Sequence, residues 1–207
     1  MPNWCNNNLT LTHEDPAMIL RAKEALDRGE FLNEFIPVPA DLKITSGFLG
    51  SGPEQEELER QTKANVEKYG YGNWYDFCCG EWGTKWDVGG DGQSDIHPDG
   101  KTLHTSFDSA WSPPVNAYYK LEELGFTVNA MYYEPGMGYA GSYDEHGDQE
   151  VNLEGMSADE IEQEYPELDE AFCISENIRE YEAENEEEEL TEWLKDGVEQ
   201  KKALVTL

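Results

Sequence analysis

Apolar and polar positions alternate through the opening of the chain. Cys5, Asn7, Leu9 and Leu11 share one face of an extended segment, and Trp4, Asn6, Asn8 and Thr10 share the other, the period of a half-buried strand. The period then lengthens. Asp15 stands where a helix N-cap belongs, with Pro16 at the first helical position. Met18, Ile19, Ala22, Ala25 and Leu26 follow at helical spacing until Gly29 ends the run. Residues 31–52 read as an extended connection, because Pro37 and Pro39 oppose an interior helix or a central strand. A polar helix is predicted from Pro53 to about Tyr69, with few apolar residues beyond Leu58 and Val66, as a surface insertion.

Alternation returns further on. Trp82, Thr84, Trp86 and Val88 alternate with Gly83, Lys85 and Asp87, which predicts a strand. After a Gly/Asp-rich loop, Pro98-Asp99-Gly100 forms a turn signal, and Leu103, Thr105 and Phe107 line one face of a second strand. Ser112-Pro113-Pro114 reads as an N-cap followed by proline in the first turn, opening a helix through Val115, Tyr118, Leu121 and Leu124 to Gly125. Phe126, Val128, Ala130 and Tyr132 then alternate in a further strand, and residues 137–153 can add an edge strand or hairpin. The order βα, ββ, αβ predicts an α+β domain with a ferredoxin-like split βαβ arrangement, an antiparallel sheet with helices on one face.

Beyond about residue 153 the pattern changes. Ser157 and Glu160 have capping-box spacing, so a helix is expected there, and Pro166 can restart a second one. Ile178, Tyr181, Leu190, Trp193, Leu194 and Val198 sit sparsely among acids. The expected organisation is a domain over residues 1–153 and an acidic helical extension over 154–207.

Charge alters this picture most. The 207 residues carry 45 Asp and Glu against 14 Lys and Arg, a formal charge of −31. Residues 144–207 alone hold 23 acidic and 4 basic residues. Such a surface repels nucleic acid and anionic membranes and attracts basic surfaces. The 6 Trp, 11 Tyr and 7 Phe supply enough bulk for a packed core despite the charge. Cys5, Cys78, Cys79 and Cys173 form no C-x-x-C pair and no disulfide framework, which fits reduced thiols. The opening Met1-Pro2-Asn3-Trp4 has no basic or apolar leader pattern, and no run approaches a membrane span. A cytoplasmic location is therefore expected.

Three stretches stand out together: Glu81-Trp82-Gly83-Thr84-Lys85-Trp86-Asp87, Ala110-Trp111-Ser112-Pro113-Pro114, and Tyr133-Glu134-Pro135-Gly136-Met137-Gly138-Tyr139-Ala140-Gly141. With the opening Met1-Pro2-Asn3-Trp4-Cys5-Asn6-Asn7, they resemble the Api92-like (YubB ferredoxin-like) proteins of phages, plasmids and integrated elements. The resemblance covers roughly residues 1–143. It implies a ferredoxin-like fold and a mobile-element origin in a bacterial host, and no catalytic residue set.

Read as residues, Trp82, Trp86 and Trp111 are expected in core and cross-strand packing. Stacking of RNA bases is the alternative, which the net charge opposes. Lys85 is expected to pair with Asp87, Glu81 or Asp108. Asp91, Asp95, His97 and Asp99 crowd one loop without EF-hand spacing, and the four histidines pair with no cysteine at zinc spacing, so no metal or cofactor is expected. Gly89-Gly90-Asp91-Gly92 lacks the Lys and Ser/Thr of a phosphate loop.

The dense acids Glu180, Glu182, Glu184, Glu186, Glu187, Glu188, Glu189 and Glu192 are the candidate binding surface. B-DNA carries one charge per about 1.7 Å of axis. A helix rising about 1.5 Å per residue with an acid at every second or third position comes within a factor of a few of that density. The expected function is non-enzymatic: capture of a basic, nucleic-acid-binding host protein, as a DNA-mimic-like inhibitor with a role in counter-defence. A solubilising tail on a structural subunit is one alternative, and self-association stays open. An enzyme with a cleft near residues 88–100 is the other, and its test residues would be Asp87, Asp108 and Glu134.

Overall fold

The computed structural model describes residues 3–90 and 93–185. The chain divides into two compact units, the first ending at Asn152 and the second beginning at Leu153.

In the first unit, β1 (Trp4–Thr12) leads to α1 (Pro16–Arg28), a short α2 (Phe31–Phe35), a 3-10 turn (Ala40–Leu42), α3 (Pro53–Tyr69) and α4 (Trp74–Phe77). A π-helical turn (Cys78–Trp82) follows, then β2 (Ser94–Ile96), β3 (Thr102–Ala110), α5 (Val115–Glu123), β4 (Thr127–Glu134), β5 (Tyr139–Asp144) and β6 (Gly147–Asn152). Among the described residues the six strands form one sheet in the order β2-β3-β1-β4-β5-β6. Every neighbouring pair is antiparallel, with Leu9 opposite Thr105 on β3 and opposite Ala130 on β4.

The alternation of β1 sorts as its sequence predicts, with Cys5, Asn7, Leu9 and Leu11 all buried. Leu9 and Leu11 join Leu103 and Phe107 of β3 and Val128 and Ala130 of β4 under α1 and α5, which contribute Ile19, Ala22, Leu26, Tyr118 and Leu121. Each large side chain so buried contributes roughly 1.5–3 kcal/mol. The opposite face is polar: His104, Ser106, Asp108 and Asn129 are exposed, and Asn6, Asn8 and Thr10 half-buried.

Helix α1 has the predicted ends. Asp15 accepts a hydrogen bond from Ala17 N at 2.9 Å, and Gly29 closes the helix with φ 70°. The Gly-rich loop serves this same helix end. Gly90 N donates to Leu26 O at 2.7 Å, and a Cβ on Gly89 would stand 2.3 Å from that oxygen. Close backbone approach explains the glycines there.

Three local expectations are corrected. Residues 82–88 are not a strand: the π-turn ends at Trp82, Gly83 takes φ 85°, and the segment runs on as a clamped loop. Trp82, Thr84 and Val88 are buried while Trp86 is exposed, so the expected alternation breaks at Trp86 and the segment is a loop pressed on the core at three positions. The strand paired with β3 is instead Ser94–Ile96, and the turn at 98–100 joins them. Residues 31–35, expected to be extended, form α2, because Asp87 caps its first turn. Ser112 does not cap α5: its hydroxyl donates to Gly83 O at 2.6 Å, and the helix begins after Pro114.

In the second unit, α6 (Ala158–Glu164) opens with both hydrogen bonds of the Ser157/Glu160 capping box. Pro166 restarts the chain in α7 (Pro166–Phe172), and residues 174–185 are helical. Ile161, Leu168 and Ile174 are buried. Among the described residues no helix is long and apolar enough to cross a membrane.

Candidate functional site

The stretches that carry the family resemblance are far apart in sequence and meet at one end of the sheet. Trp111 N donates to Asn3 O at 2.9 Å, which ties the close of β3 to the residue before β1. Thr84 Oγ1 donates to Ala110 O at 2.9 Å, and Ser112 Oγ to Gly83 O. Tyr139 donates its hydroxyl proton to Trp111 O at 2.8 Å. Glu134, fully buried, accepts from Gly136 N and Met137 N and shapes the turn into β5. The motif residues are thus one constellation of backbone-directed hydrogen bonds.

An aromatic belt lies over it. Trp4 and Trp86 sit 5.9 Å apart, Tyr75 and Trp111 6.3 Å apart, and Trp74 adjoins Tyr75 at 6.0 Å. Lys85 joins the two halves, its Nζ 4.7 Å from the ring centroids of both Trp86 and Trp111 and 5.8 Å from Tyr75. Trp111 holds φ 71°, a left-handed conformation that costs a bulky L-residue roughly 1–2 kcal/mol.

The expectations for these residues divide. Trp82 is a core residue, buried, with its indole N–H donated to Ile36 O at 3.0 Å. Pro113 and Pro114 are buried as well. Trp86 and Trp111 depart from expected core packing, with 38% and 41% of their surface exposed. Both sit outside the strands, Trp86 on the 83–88 loop and Trp111 at the bend after β3. Lys85 makes no ion pair with Asp87, Glu81 or Asp108. Asp87 caps α2, Glu81 accepts from Tyr71 and Asp108 from Asn6, so the carboxylates are engaged elsewhere. Sequence reading missed the part played by Trp4 and Tyr75, since nothing in their local pattern shows that they converge on residue 85.

The carboxylates that an enzyme reading would use are each committed to the fold. Asp87 accepts from Leu32 N at 2.6 Å, Val88 N at 2.9 Å and Asn33 N at 3.0 Å. Burial nevertheless pushes its pKa above the usual carboxylate value, against the pull of those three donors. Burial also pushes the thiols of Cys5 and Cys78 up to about 12, which keeps them protonated and unreactive. Among the described residues no group of three or more His, Cys, Asp or Glu is placed to hold a metal ion. Asp91 and Gly92 lie outside the described residues.

In the second unit, Glu180, Glu182 and Glu184 are exposed on the 174–185 helix, while Glu186, Glu187, Glu188, Glu189 and Glu192 lie outside the described residues. Arg179 bridges Asp159 at 2.8 Å and Glu162 at 2.6 Å, and its hydrogen bond holds the Glu162 carboxyl below its ordinary pKa. A shallow groove of about 630 Å³ is lined by Glu162, Asp169, Glu170, Glu176, Arg179 and Glu180, among others.

No family model and no curated protein matches the chain. Among solved structures it is similar to the crystal structure of protein api92 from Yersinia pseudotuberculosis, of the DUF1281 family. The two are 13% identical with a TM-score of 0.41, over 73% of this chain and 98% of the other. The relation is distant. It carries neither fold nor function across.

Proposed function

We propose that this chain is a non-enzymatic accessory protein of a phage or other mobile element. It acts in the bacterial cytoplasm by capturing a host protein whose basic surface ordinarily meets nucleic acid. The observation that carries the reading is the exposed carboxylates of the 174–185 helix, where Glu180 and Glu184 share a face and Glu182 extends the negative charge to the opposite side. A carboxylate array in a defined shape can occupy a basic groove, whereas a free acidic tail would have to be ordered on binding, at an entropic cost. Among the described residues, Arg21, Lys23, Arg28, Lys68, Lys101 and Arg179 are held by carboxylates of their own. The commitment of Asp87, Asp108 and Glu134 to structural hydrogen bonds weighs against the enzymatic alternative.

The first unit is proposed to be ferredoxin-like. The element order β1-α1-β2-β3-α5-β4, with spatial order β2-β3-β1-β4, supports that reading, with β5 and β6 as an added hairpin. The mobile-element origin rests on the motif resemblance alone.

The test compares the intact protein with a variant carrying Glu180→Lys, Glu182→Lys and Glu184→Lys, each used to retain proteins from bacterial lysate. The reading expects the intact chain to hold a nucleic-acid-binding protein that duplex DNA or high salt releases, and the variant to lose it with an unchanged circular dichroism spectrum. Retention of the same protein by both, irrespective of salt, refutes it.

A further inference from the structure

Lys85 is anomalous in so acidic a molecule. It is half-buried, yet among the described residues it meets no carboxylate and donates no hydrogen bond to the protein; its neighbours are the rings of Trp86, Trp111 and Tyr75. Cation–π attraction offsets part of the desolvation of that ammonium without neutralising its charge. The rings are open to solvent at the same place, Trp4 by 44%, Trp86 by 38% and Trp111 by 41%. The left-handed backbone of Trp111, pinned through its N–H by Asn3 and through its carbonyl by Tyr139, sets its indole beside Lys85. Strain of this kind concentrates at binding sites, where surrounding structure holds it in place. Partly exposed indoles around one cation that meets no carboxylate among the described residues are complementary to a flat ring that carries a negative group.

We propose that Lys85, Trp86, Trp111, Tyr75 and Trp4 form a binding site for a small planar anion of the nucleoside monophosphate type. The base lies on the partly exposed indoles, and the phosphate oxygens accept hydrogen bonds from the Lys85 ammonium. A longer strand is disfavoured: each added phosphate meets the field of a chain of formal charge −31, and among the described residues Lys85 is the one cation over these exposed rings. The site is built from residues of the first unit alone and does not depend on the function proposed for the acidic helix.

The test titrates adenosine 5′-monophosphate into the full-length protein at about 0.15 M salt, where the Debye length of about 8 Å screens the overall field. Tryptophan fluorescence and calorimetry report binding. The expected result is saturable binding, with adenosine and inorganic phosphate each about tenfold weaker or more. Lys85→Met keeps the aliphatic stem and removes the charge; it lowers affinity for the monophosphate about tenfold and leaves adenosine unchanged. Lys85→Arg retains binding, and Trp86→Leu weakens monophosphate and adenosine together. Melting curves for each variant separate loss of site from loss of fold, and Trp86→Leu and Lys85→Arg keep the test decisive if Lys85→Met unfolds. The proposal is overturned if the wild type shows no saturable binding, or if phosphate alone binds as tightly as the monophosphate. Unchanged binding by a folded Lys85→Met protein overturns it too, and so does tighter binding of a short single-stranded oligonucleotide, which would make the ligand a strand.

Discussion

Asp87 links two elements through a single side chain. Its carboxylate satisfies the first N–H groups of α2 and one of its own loop, so the 82–88 segment and the 31–35 helix hold each other in place. Asp87→Ala leaves buried donors without an acceptor and is expected to cost about 1–3 kcal/mol in denaturant unfolding. Asp87→Asn keeps one acceptor and costs less. The pH dependence has a definite sign. Because the folded pKa is raised, the charged form costs stability above it, and that cost fades as pH falls through the raised value towards the ordinary one. Comparing wild type with Asp87→Asn at about pH 7 and about pH 4 should therefore move the difference in favour of the wild type on acidification. A difference independent of pH would mean that the carboxyl titrates alike in both states.

At the scale of elements, α6 offers the cleanest test of the acidic extension. Ser157 Oγ accepts from Glu160 N, and Glu160 accepts in return from Ser157 N at 2.8 Å. The hydrogen bonds that Ser157 N and the Ser157 hydroxyl donate to it hold the Glu160 carboxyl below its ordinary pKa, so its contribution is present at neutral pH and lost as pH falls through that depressed value. Ser157→Ala is expected to cost about 1 kcal/mol, read as a lower melting temperature of the full chain by far-ultraviolet circular dichroism. No change in melting would mean that the cap is not coupled to the cooperative unit. The π-turn at 78–82 shows the opposite case. Its residues carry no helix period of their own, and Trp82 is set by its hydrogen bond to Ile36 and its edge-to-face contact with Phe77.

For the whole molecule, the balance lies between self-repulsion at a formal charge of −31 and surface ion pairs. Asp27, Glu34, Asp41, Glu57 and Glu162 all have carboxyls held below their ordinary pKa by a Lys or Arg partner. Those contributions vanish only as pH drops below the usual carboxylate range, and exposed pairs count for little. Repulsion acts across the whole surface and eases as the first carboxylates protonate. The melting temperature should thus rise with added salt and rise from pH 7 to about pH 5 before falling below about pH 4. A decline over the first of those pH steps would show that the ion pairs outweigh the repulsion.

Strand β1, helices α1 and α3, the capping box of α6 and the hairpin after β4 were legible in the residues, because each rests on interactions within a few positions of the chain: alternation, an N-cap, a left-handed glycine, a proline at a helix start. The concentration of acid in the C-terminal third is equally a property of the sequence. What local pattern could not supply were the features made by distant partners. Residues 82–88 carry a strand's alternation and lack strand neighbours; α2 exists because Asp87 reaches it from more than fifty positions away. Lys85 has acids beside it in sequence and aromatic rings beside it in space. Only tertiary packing decided that, since Asp87 and Glu81, the carboxylates nearest to it along the chain, are spent on donors brought in from other segments, Leu32 N and the Tyr71 hydroxyl.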